Sequence, residues 1–312
     1  MNDKNKISIL LGIIGALVIV VVLKWLPTQS TPKIPKVIIV QDKPQEWADA
    51  LKLGLHDGLR EQGIEEGVGV VIISRSAAGD PSGLTGLAEV VAKQNAAVVY
   101  ALGTQSSQAI FRAVKNKPIV FGAVTDPVKA GFYDDSLDKP KGNITGTQDL
   151  WPYSAQFDLI LELVPNAKKV GIVYNSSEIN SQVSVQYIRQ ECQKNSLELL
   201  DRTVTEESQI PAAVASLLDA DISVFFIPAD NTAQTSSRTI IAACSRKQVP
   251  VFSGISGIVE NGALGCVGTN YYELGRVNAT QIASILKGKK AREIPVKIAD
   301  KGDLYLRHSN KT

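Results

Sequence analysis

Two patterns of apolar and polar positions alternate along most of the 312-residue chain, one typical of strands and the other typical of helices. Short apolar runs rich in β-branched residues are typical of strands that are covered on both faces. The runs that predict strands span residues 37–41, 69–74, 97–102, 118–124, 169–174, 198–203, 223–228, 250–253 and 263–268. Between them lie segments of helical length with one apolar stripe, such as 45–63, 178–195 and 271–287. The alternation predicts an α/β fold with parallel sheets.

The alternation of strands and helices is interrupted once, over residues 139–153, which are rich in Gly, Pro and Thr. It then restarts with the same order of strands and helices. This interruption predicts a domain boundary between two similar α/β lobes, each of a common domain size. Right-handed crossovers would place helices on both faces of each sheet.

The N-terminal segment is an unbroken apolar run over residues 7–23. As a helix it would span about 26 Å, close to the roughly 30 Å of a bilayer core. Lys4 and Lys6 precede the run, which places the N-terminus in the cytoplasm and the rest of the chain outside. We expect a membrane anchor within residues 1–26 and a Pro-rich linker over 27–36. A cleaved signal peptide is the alternative, although no A-x-A exit follows the run.

Composition excludes several classes of function. The chain has 33 Lys+Arg and 31 Asp+Glu, a net charge of +2, and the first 30 residues carry that excess. A neutral body gives no electrostatic reason to expect nucleic acid as a partner. The sequence contains no GxSxG, HExxH, CxxC or phosphate-loop motif, so we predict a protein that is not an enzyme and needs no cofactor or metal. Cys192, Cys244 and Cys266 are predicted to be buried, with one disulfide left open.

Polar side chains gather at the ends of the predicted strands. In open parallel sheets, ligands bind beyond the carboxyl ends of the strands. The candidates at these positions are Gln41, Thr104, Gln105, Asp126, Asn175, Asn180, Ser181, Asp230 and Asn231, with Gly254 allowing close approach of backbone. Helix or turn capping is the alternative role for each polar residue. Together they predict a cleft between the lobes for a small, zwitterionic and partly apolar ligand.

Six short motifs resemble a known family in their order and spacing. They are VTDPV at 124–128, GNITG at 142–146, LVPNAKK at 163–169, YNSSE at 174–178, DNT at 230–232 and YYELG at 271–275. The chain resembles, over about residues 36–306, the ABC-transporter substrate-binding proteins of the tryptophan/tyrosine-binding type. The resemblance implies a periplasmic-binding-protein type I fold, with two Rossmann-like lobes joined by three crossover strands. It assigns 37–147 and about 270–290 to the first lobe, and 148–269 and about 291–307 to the second.

The resemblance also implies roles for the candidate residues. Those expected to face a ligand carboxylate are Thr104, Gln105, Asn175, Asn180 and Ser181. Asp126 and Asp230, with Asn231 alongside, would face its ammonium group, and Gly254 would line the floor of the cleft. Trp151 stands where relatives usually have Thr, and it either stacks on a ligand ring or packs at the lobe interface.

The function that follows is that of an extracytoplasmic substrate-binding component of an ABC transporter. It would bind an amino acid, with an aromatic one as a candidate, by hinge closure, and would present it to permease and ATPase subunits. A membrane-tethered sensor with the same cleft is the alternative hypothesis. An extracellular enzyme would need a nucleophile and base at the strand ends, which the sequence lacks. A repressor with this lobe architecture would carry a DNA-binding headpiece where the apolar run lies.

Overall fold

The structure is a computed structural model that describes residues 34–299 and 302–307. Its twelve strands are β1 Lys36–Gln41, β2 Val71–Ser76, β3 Val98–Leu102, β4 Ile119–Val124, β5 Ile144–Gln148, β6 Lys169–Asn175, β7 Glu198–Val204, β8 Val224–Ile227, β9 Val251–Ser253, β10 Gly265–Gly268, β11 Lys297–Ile298 and β12 Asp303–Leu306. They form two six-stranded sheets, in the orders β11-β5-β4-β3-β1-β2 and β12-β10-β9-β8-β6-β7. Every pairing is parallel except that of β10 with β12.

Helices separate most of the strands. They are α1 Glu46–Glu61, α2 Pro81–Lys93, α3 Gly103–Ala113, α4 Tyr153–Leu163, α5 Ile179–Lys194, α6 Ile210–Asp219, α7 Asn231–Thr235, α8 Ser237–Arg246, α9 Ser256–Glu260 and α10 Tyr271–Leu286. The prediction of two α/β lobes with mainly parallel sheets is confirmed. The central strands β1, β3, β4 and β8 are almost wholly buried, as their continuous apolar runs require.

The expected membrane anchor lies outside the described residues, because these begin at residue 34. Within the described part of the chain, no helix combines the length and the apolar character that crossing a bilayer requires.

The chain passes between the two sheets three times. The first passage joins β5 to α4, the second joins β10 to α10, and the third joins β11 to β12. Helix α10 returns to the first lobe and packs against α1 at small residues. A side chain on Gly54 or Gly275 would strike backbone atoms of the opposite helix, so both positions require glycine for this close approach.

One predicted boundary is wrong in part. Residues 291–307 were assigned to the second lobe, but β11 extends the first sheet by pairing in parallel with β5. The amide of Ala299 continues this pairing by donating to the carbonyl of Gln148. Only β12 joins the second sheet, along β10.

Strand β5 lies within the interruption at residues 139–153 that predicted the domain boundary. Its sequence, ITGTQ, has the composition of a loop, yet its first four residues are buried. Its hydroxyls have partners far along the sequence: Thr145 Oγ1 donates to the carbonyl of Ile294 at 2.8 Å, and Thr147 Oγ1 donates to Asn278 Oδ1 at 3.1 Å. Buried polar groups are tolerated where such partners exist.

Candidate functional site

A cavity of about 320 Å³, including the part that opens to solvent, lies between the lobes at the carboxyl ends of both sheets. Its lining comes from both lobes and from the first passage between them. The residues are Trp47, Gly103, Thr104, Ala123, Thr125, Asp149, Trp151, Asn180, Ala229, Asn231, Gln234 and Tyr271. Four of the predicted site residues are therefore brought together, namely Thr104, Trp151, Asn180 and Asn231.

The first lobe presents a helix N-terminus to the cavity. Gly103, at φ +77°, turns the chain from β3 directly into α3, and no side chain among the described residues caps this turn. Thr104 is buried, and its Oγ1 has no hydrogen-bond partner within the described structure. The alternative role of Thr104 as a helix cap therefore does not apply. Free backbone donors, the helix dipole and a free hydroxyl favour an anionic group such as a carboxylate.

Asp149 brings a buried carboxyl group to the cavity. It follows β5, is only 6% exposed, and accepts hydrogen bonds from Tyr271 OH at 3.2 Å and from Thr125 Oγ1 at 3.3 Å. Desolvation by burial raises its pKa to about 6. No basic side chain is among the residues that line the cavity. A ligand ammonium group would supply the positive charge that this carboxylate lacks.

Asn180 offers an acceptor from the second lobe. Its Nδ2 donates to Glu178 Oε2 at 3.0 Å and to the carbonyl of Ala229 at 2.9 Å. Since both neighbours are acceptors, this network fixes the orientation of the amide. Oδ1 is left buried without a partner in the described structure. This free atom requires a donor, whereas the predicted contact with a ligand carboxylate would need the Asn180 amide to donate.

Three aromatic rings belong to the apolar part of the lining. The rings of Trp47 and Tyr271 are 5.7 Å apart, and Trp151 Nε1 donates to Tyr271 OH at 3.1 Å. Trp151 is buried against Gly254 of the second lobe and also lines the cavity. Its stacking on a ligand ring stays a prediction. Gly254 does not line the cavity. A side chain there would strike the Trp151 ring, so Gly254 makes room for this ring instead.

The carboxylate of Asp230 binds groups of the protein itself and does not line the cavity. Asp230 is fully buried, and its carboxylate accepts from the amides of Asn175 and Ala233, each at 2.6 Å, and from Ser181 Oγ at 2.5 Å. Burial and the nearby charge of Glu178 raise its pKa to about 6. The capping alternative therefore applies, because both carboxylate oxygens are already engaged. Ser181 is bound to Asp230 and does not line the cavity.

Glu178 organises the second-lobe side of the site and was not singled out from the sequence. Its Oε2 accepts from the amide and the side chain of Asn231, at 3.1 and 2.8 Å, as well as from Asn180. Its Oε1 accepts from Thr232 Oγ1. Glu178 thereby fixes the two asparagines that line the cavity. Its place in a dense run of polar residues at a helix start was the available signal.

The remaining candidates lie outside the cavity lining. Asp126 accepts from the amides of Val128 and Lys129, each at 3.0 Å, and so caps a turn. Asn175 Oδ1 accepts hydrogen bonds from the amide and the hydroxyl of Ser177 and so stabilises a local turn as well. Gln105 is half-buried in the first turn of α3. Gln41 is buried at the end of β1, and its Oε1 has no partner in the described structure.

Direct contacts join the lobes around the cavity. Gln45 Nε2 donates to Asn231 Oδ1 at 3.1 Å, and Lys129 Nζ donates to Gln186 Oε1 at 2.8 Å. Each pair joins a residue of the first lobe to one of the second. The three cysteines are free and buried, and burial raises the pKa of each thiol to about 12.

Two α/β lobes that are joined by three passages and enclose a cavity define a periplasmic-binding-protein type I fold. Residues 36–311 match the sequence model of the family described as ABC transporter substrate binding protein, and the chain belongs to this family. It is 32% identical over 258 residues to a curated tyrosine-binding protein of Clostridioides difficile strain R20291, an alignment that covers 83% of this chain and 74% of the relative.

Two solved structures are similar to this one. The first is an ABC domain from Streptococcus pneumoniae in complex with L-Trp, with 28% identity, a TM-score of 0.83, and coverage of 87% of this chain and 91% of that one. The second is the ligand-free, open form of a substrate-binding protein with adhesive properties from Clostridium difficile. It has 30% identity, a TM-score of 0.67, and coverage of 89% of this chain and 97% of that one.

Proposed function

We propose that this chain captures an aromatic α-amino acid outside the cytoplasm and delivers it to an ABC transporter. The observation that carries the proposal is the pair of unpartnered buried atoms, Thr104 Oγ1 and Asn180 Oδ1, in one cavity with the carboxyl group of Asp149. Native structures rarely leave buried polar atoms unpaired, so two such atoms in the lining of one cavity support a ligand that binds there.

The polar groups match the two charges of an amino acid. The N-terminus of α3 and Thr104 would hold the α-carboxylate, because they supply donors and positive dipole. Asp149 and Asn180 would hold the α-ammonium group, because they supply a negative charge and a free acceptor. The proposal thus transfers the ammonium-binding role from Asp126 and Asp230 to Asp149.

The aromatic rings support an aromatic side chain for the ligand. Trp47, Trp151 and Tyr271 offer flat apolar surfaces, and aromatic pairs gain about 0.5–1.5 kcal/mol beyond the burial of their area. The names of the relatives agree with this choice, since one is a tyrosine-binding protein and another was solved with L-Trp.

Closure of the lobes would complete the site. The structure is more similar to the L-Trp complex than to the open, ligand-free relative, with TM-scores of 0.83 and 0.67, although the identities are nearly equal. This difference, together with the contacts between the lobes, supports a closed form. We propose that ligand binding shifts the population from an open to this closed form, which permease and ATPase subunits would recognise. The apolar run over residues 7–23 would anchor the protein at the outer face of the membrane.

A ligand screen tests this function. The full-length chain in detergent would be freed of bound ligand by unfolding and refolding, and its melting temperature measured with each of the twenty amino acids. A ligand at 100 times its dissociation constant stabilises the folded state by about 2.7 kcal/mol. We expect shifts confined to tryptophan, tyrosine and phenylalanine. A shift with only aliphatic or charged amino acids, or with none, would contradict the proposal.

A further inference from the structure

The side chain of Gln45 lies at the N-terminus of α1 but does not cap this helix. Gln45 is the N-cap residue, yet its side chain makes no capping hydrogen bond to the helix, and glutamine is not a residue type that this position favours. Its amide group instead has one partner on each side of the cleft. Oε1 accepts from Trp47 Nε1 at 2.9 Å, and Nε2 donates to Asn231 Oδ1 at 3.1 Å. Gln45 therefore joins an aromatic ring of the cavity, on the first lobe, to a residue of the second lobe.

The hydrogen bonds continue beyond Asn231 and run in one direction. Asn231 Nδ2 donates to Glu178 Oε2 at 2.8 Å. At one end of this chain of hydrogen bonds the indole N–H of Trp47 can only donate, and at the other end the carboxylate of Glu178 can only accept. The two ends therefore fix the orientation of both amide groups between them. Reversal of either amide would bring two donors or two acceptors together.

The Trp47 ring lies at the part of the cavity where a ligand carboxylate would bind. A side chain on Gly103 would bring its Cβ within 3.0 Å of Cη2 of the indole, so the ring packs directly over the first residue of α3. Tyr271 is its aromatic neighbour, with ring centroids 5.7 Å apart. The N–H is the only polar group of the indole, and Gln45 is its partner. Gln45 thus orients a surface that the ligand would touch.

The bond between Gln45 and Asn231 depends on closure, because the two residues belong to different lobes. Gln45 precedes α1 in the first lobe, and Asn231 begins α7 in the second. Separation of the lobes would break this bond, and the Gln45 amide would then be free to turn away from Trp47. Closure therefore orients the ring and joins the lobes through the same side chain.

We propose that Gln45 is a positioning residue for the candidate site, an inference that rests on the proposed function. On closure it fixes the Trp47 ring and ties this ring, through Asn231 and Glu178, to the second lobe. Opening of the site then requires the bond between Gln45 and Asn231 to break. Gln45 consequently slows the release of the ligand and has little influence on its capture.

The experiment measures association and dissociation rate constants by surface plasmon resonance, with the immobilised full-length chain in detergent and with L-tyrosine, L-phenylalanine and L-tryptophan as probes. Gln45→Glu keeps an acceptor for Trp47 but has no donor for Asn231, and Gln45→Met has neither. We expect each variant to raise the dissociation rate constant about threefold to tenfold, with the association rate constant within about twofold of the wild type. Because methionine is neutral, added charge would not explain an effect that both variants share.

Two controls show whether Gln45 acts through the ring. Gln62→Met should leave both rate constants unchanged, because Gln62 is the exposed residue at the other end of α1. In a Trp47→Phe background, which lacks the indole N–H, Gln45→Met should raise the dissociation rate constant by less than about half the factor seen with Trp47. Gln186→Met removes a different contact between the lobes, that with Lys129, and its effect should be the same in both backgrounds.

The outcomes distinguish the positioning role from the proposed function. If both Gln45 variants release the probes at the wild-type rate, or if Gln45→Met has the same effect with Phe as with Trp at position 47, the positioning role is wrong while the proposed function stands. If the wild type binds none of the three aromatic amino acids, the proposed function fails and the positioning role fails with it.

Discussion

The hydroxyl group of Tyr271 donates a hydrogen bond to Asp149 across 122 positions of the sequence, with an O···O distance of 3.2 Å. The same hydroxyl accepts from Trp151 Nε1 at 3.1 Å. Asp149 and Trp151 lie in the first passage between the lobes, and Tyr271 begins α10 directly after the second. One hydroxyl therefore joins two of the three passages and orients a carboxyl group and an indole ring of the cavity.

Replacement of this hydroxyl should weaken both the fold and the site. Tyr271→Phe leaves the buried Nε1 of Trp151 and an oxygen of Asp149 without their partner, so we expect the free energy of unfolding to fall by about 1–3 kcal/mol. Urea denaturation measures this loss. Tyr272→Phe is the matched control, since its hydroxyl donates to Asp57 Oδ2 in a more exposed setting. Equal losses in the two variants would contradict the role of Tyr271.

Ligand binding should depend on pH through Asp149. The pKa of its carboxyl group is about 6 in this structure, and only the ionised form attracts an ammonium group. Affinity for the ligand should therefore fall as the pH falls below about 6, approaching tenfold per pH unit. Calorimetric titration between pH 5 and pH 8 measures the profile. In Asp149→Asn the affinity should be at least about tenfold lower at pH 7 and this pH dependence should disappear. A variant with the wild-type profile would refute the assignment of Asp149.

The same carboxyl group should reduce the stability of the ligand-free protein. Its pKa is 3.8 in an ordinary environment and about 6 in the folded state, so the folded state binds more protons between these values. The free energy of unfolding consequently decreases as the pH rises through this range and stays lowered above it. Asp149→Asn avoids this penalty. We expect it to be about 1–3 kcal/mol more stable than the wild type at pH 7, and to lose this advantage near pH 4, in urea denaturation. A variant that is less stable at pH 7 would contradict the explanation.

Asp126 and Asp230 should respond differently to truncation, and neither as a direct ligand contact. Asp126→Ala removes a turn cap and should cost about 0.5–2 kcal/mol of stability, with ligand affinity within twofold of the wild type. Asp230→Ala leaves three buried donors unpaired and should cost about 3 kcal/mol or more. Denaturation and titration of both variants check this contrast. Loss of binding in a stable Asp126→Ala protein would restore the original expectation.

Periodicity predicted the elements whose stability depends on apolar burial. The strands β1 to β4 and β6 to β10 overlap the short runs that predicted strands, and Leu51, Leu55 and Leu59 face the core from α1. β5 escaped detection because Thr145 and Thr147 are buried by hydrogen bonding to residues more than 100 positions away. A local pattern contains no information on such partners.

The sequence predicted where the candidate site lies, but it did not predict the roles of the individual residues. The rule for strand ends found Thr104, Asn180 and Asn231. The rule selects Asp126, whose carboxylate is already satisfied by neighbouring amides, a fact that the sequence does not show. It does not reach Asp149, because Asp149 follows a strand that the apolar pattern does not predict.

The central claim is that one cavity recognises both charges of an aromatic amino acid. The most direct measurement is a calorimetric comparison of L-tryptophan with tryptamine, which lacks the carboxylate, and with indole-3-propionate, which lacks the ammonium group. The account predicts that L-tryptophan binds at least about tenfold more tightly than either, because each charge makes charge-assisted hydrogen bonds with its own side of the cavity. Binding of either fragment with the affinity of L-tryptophan would contradict the account.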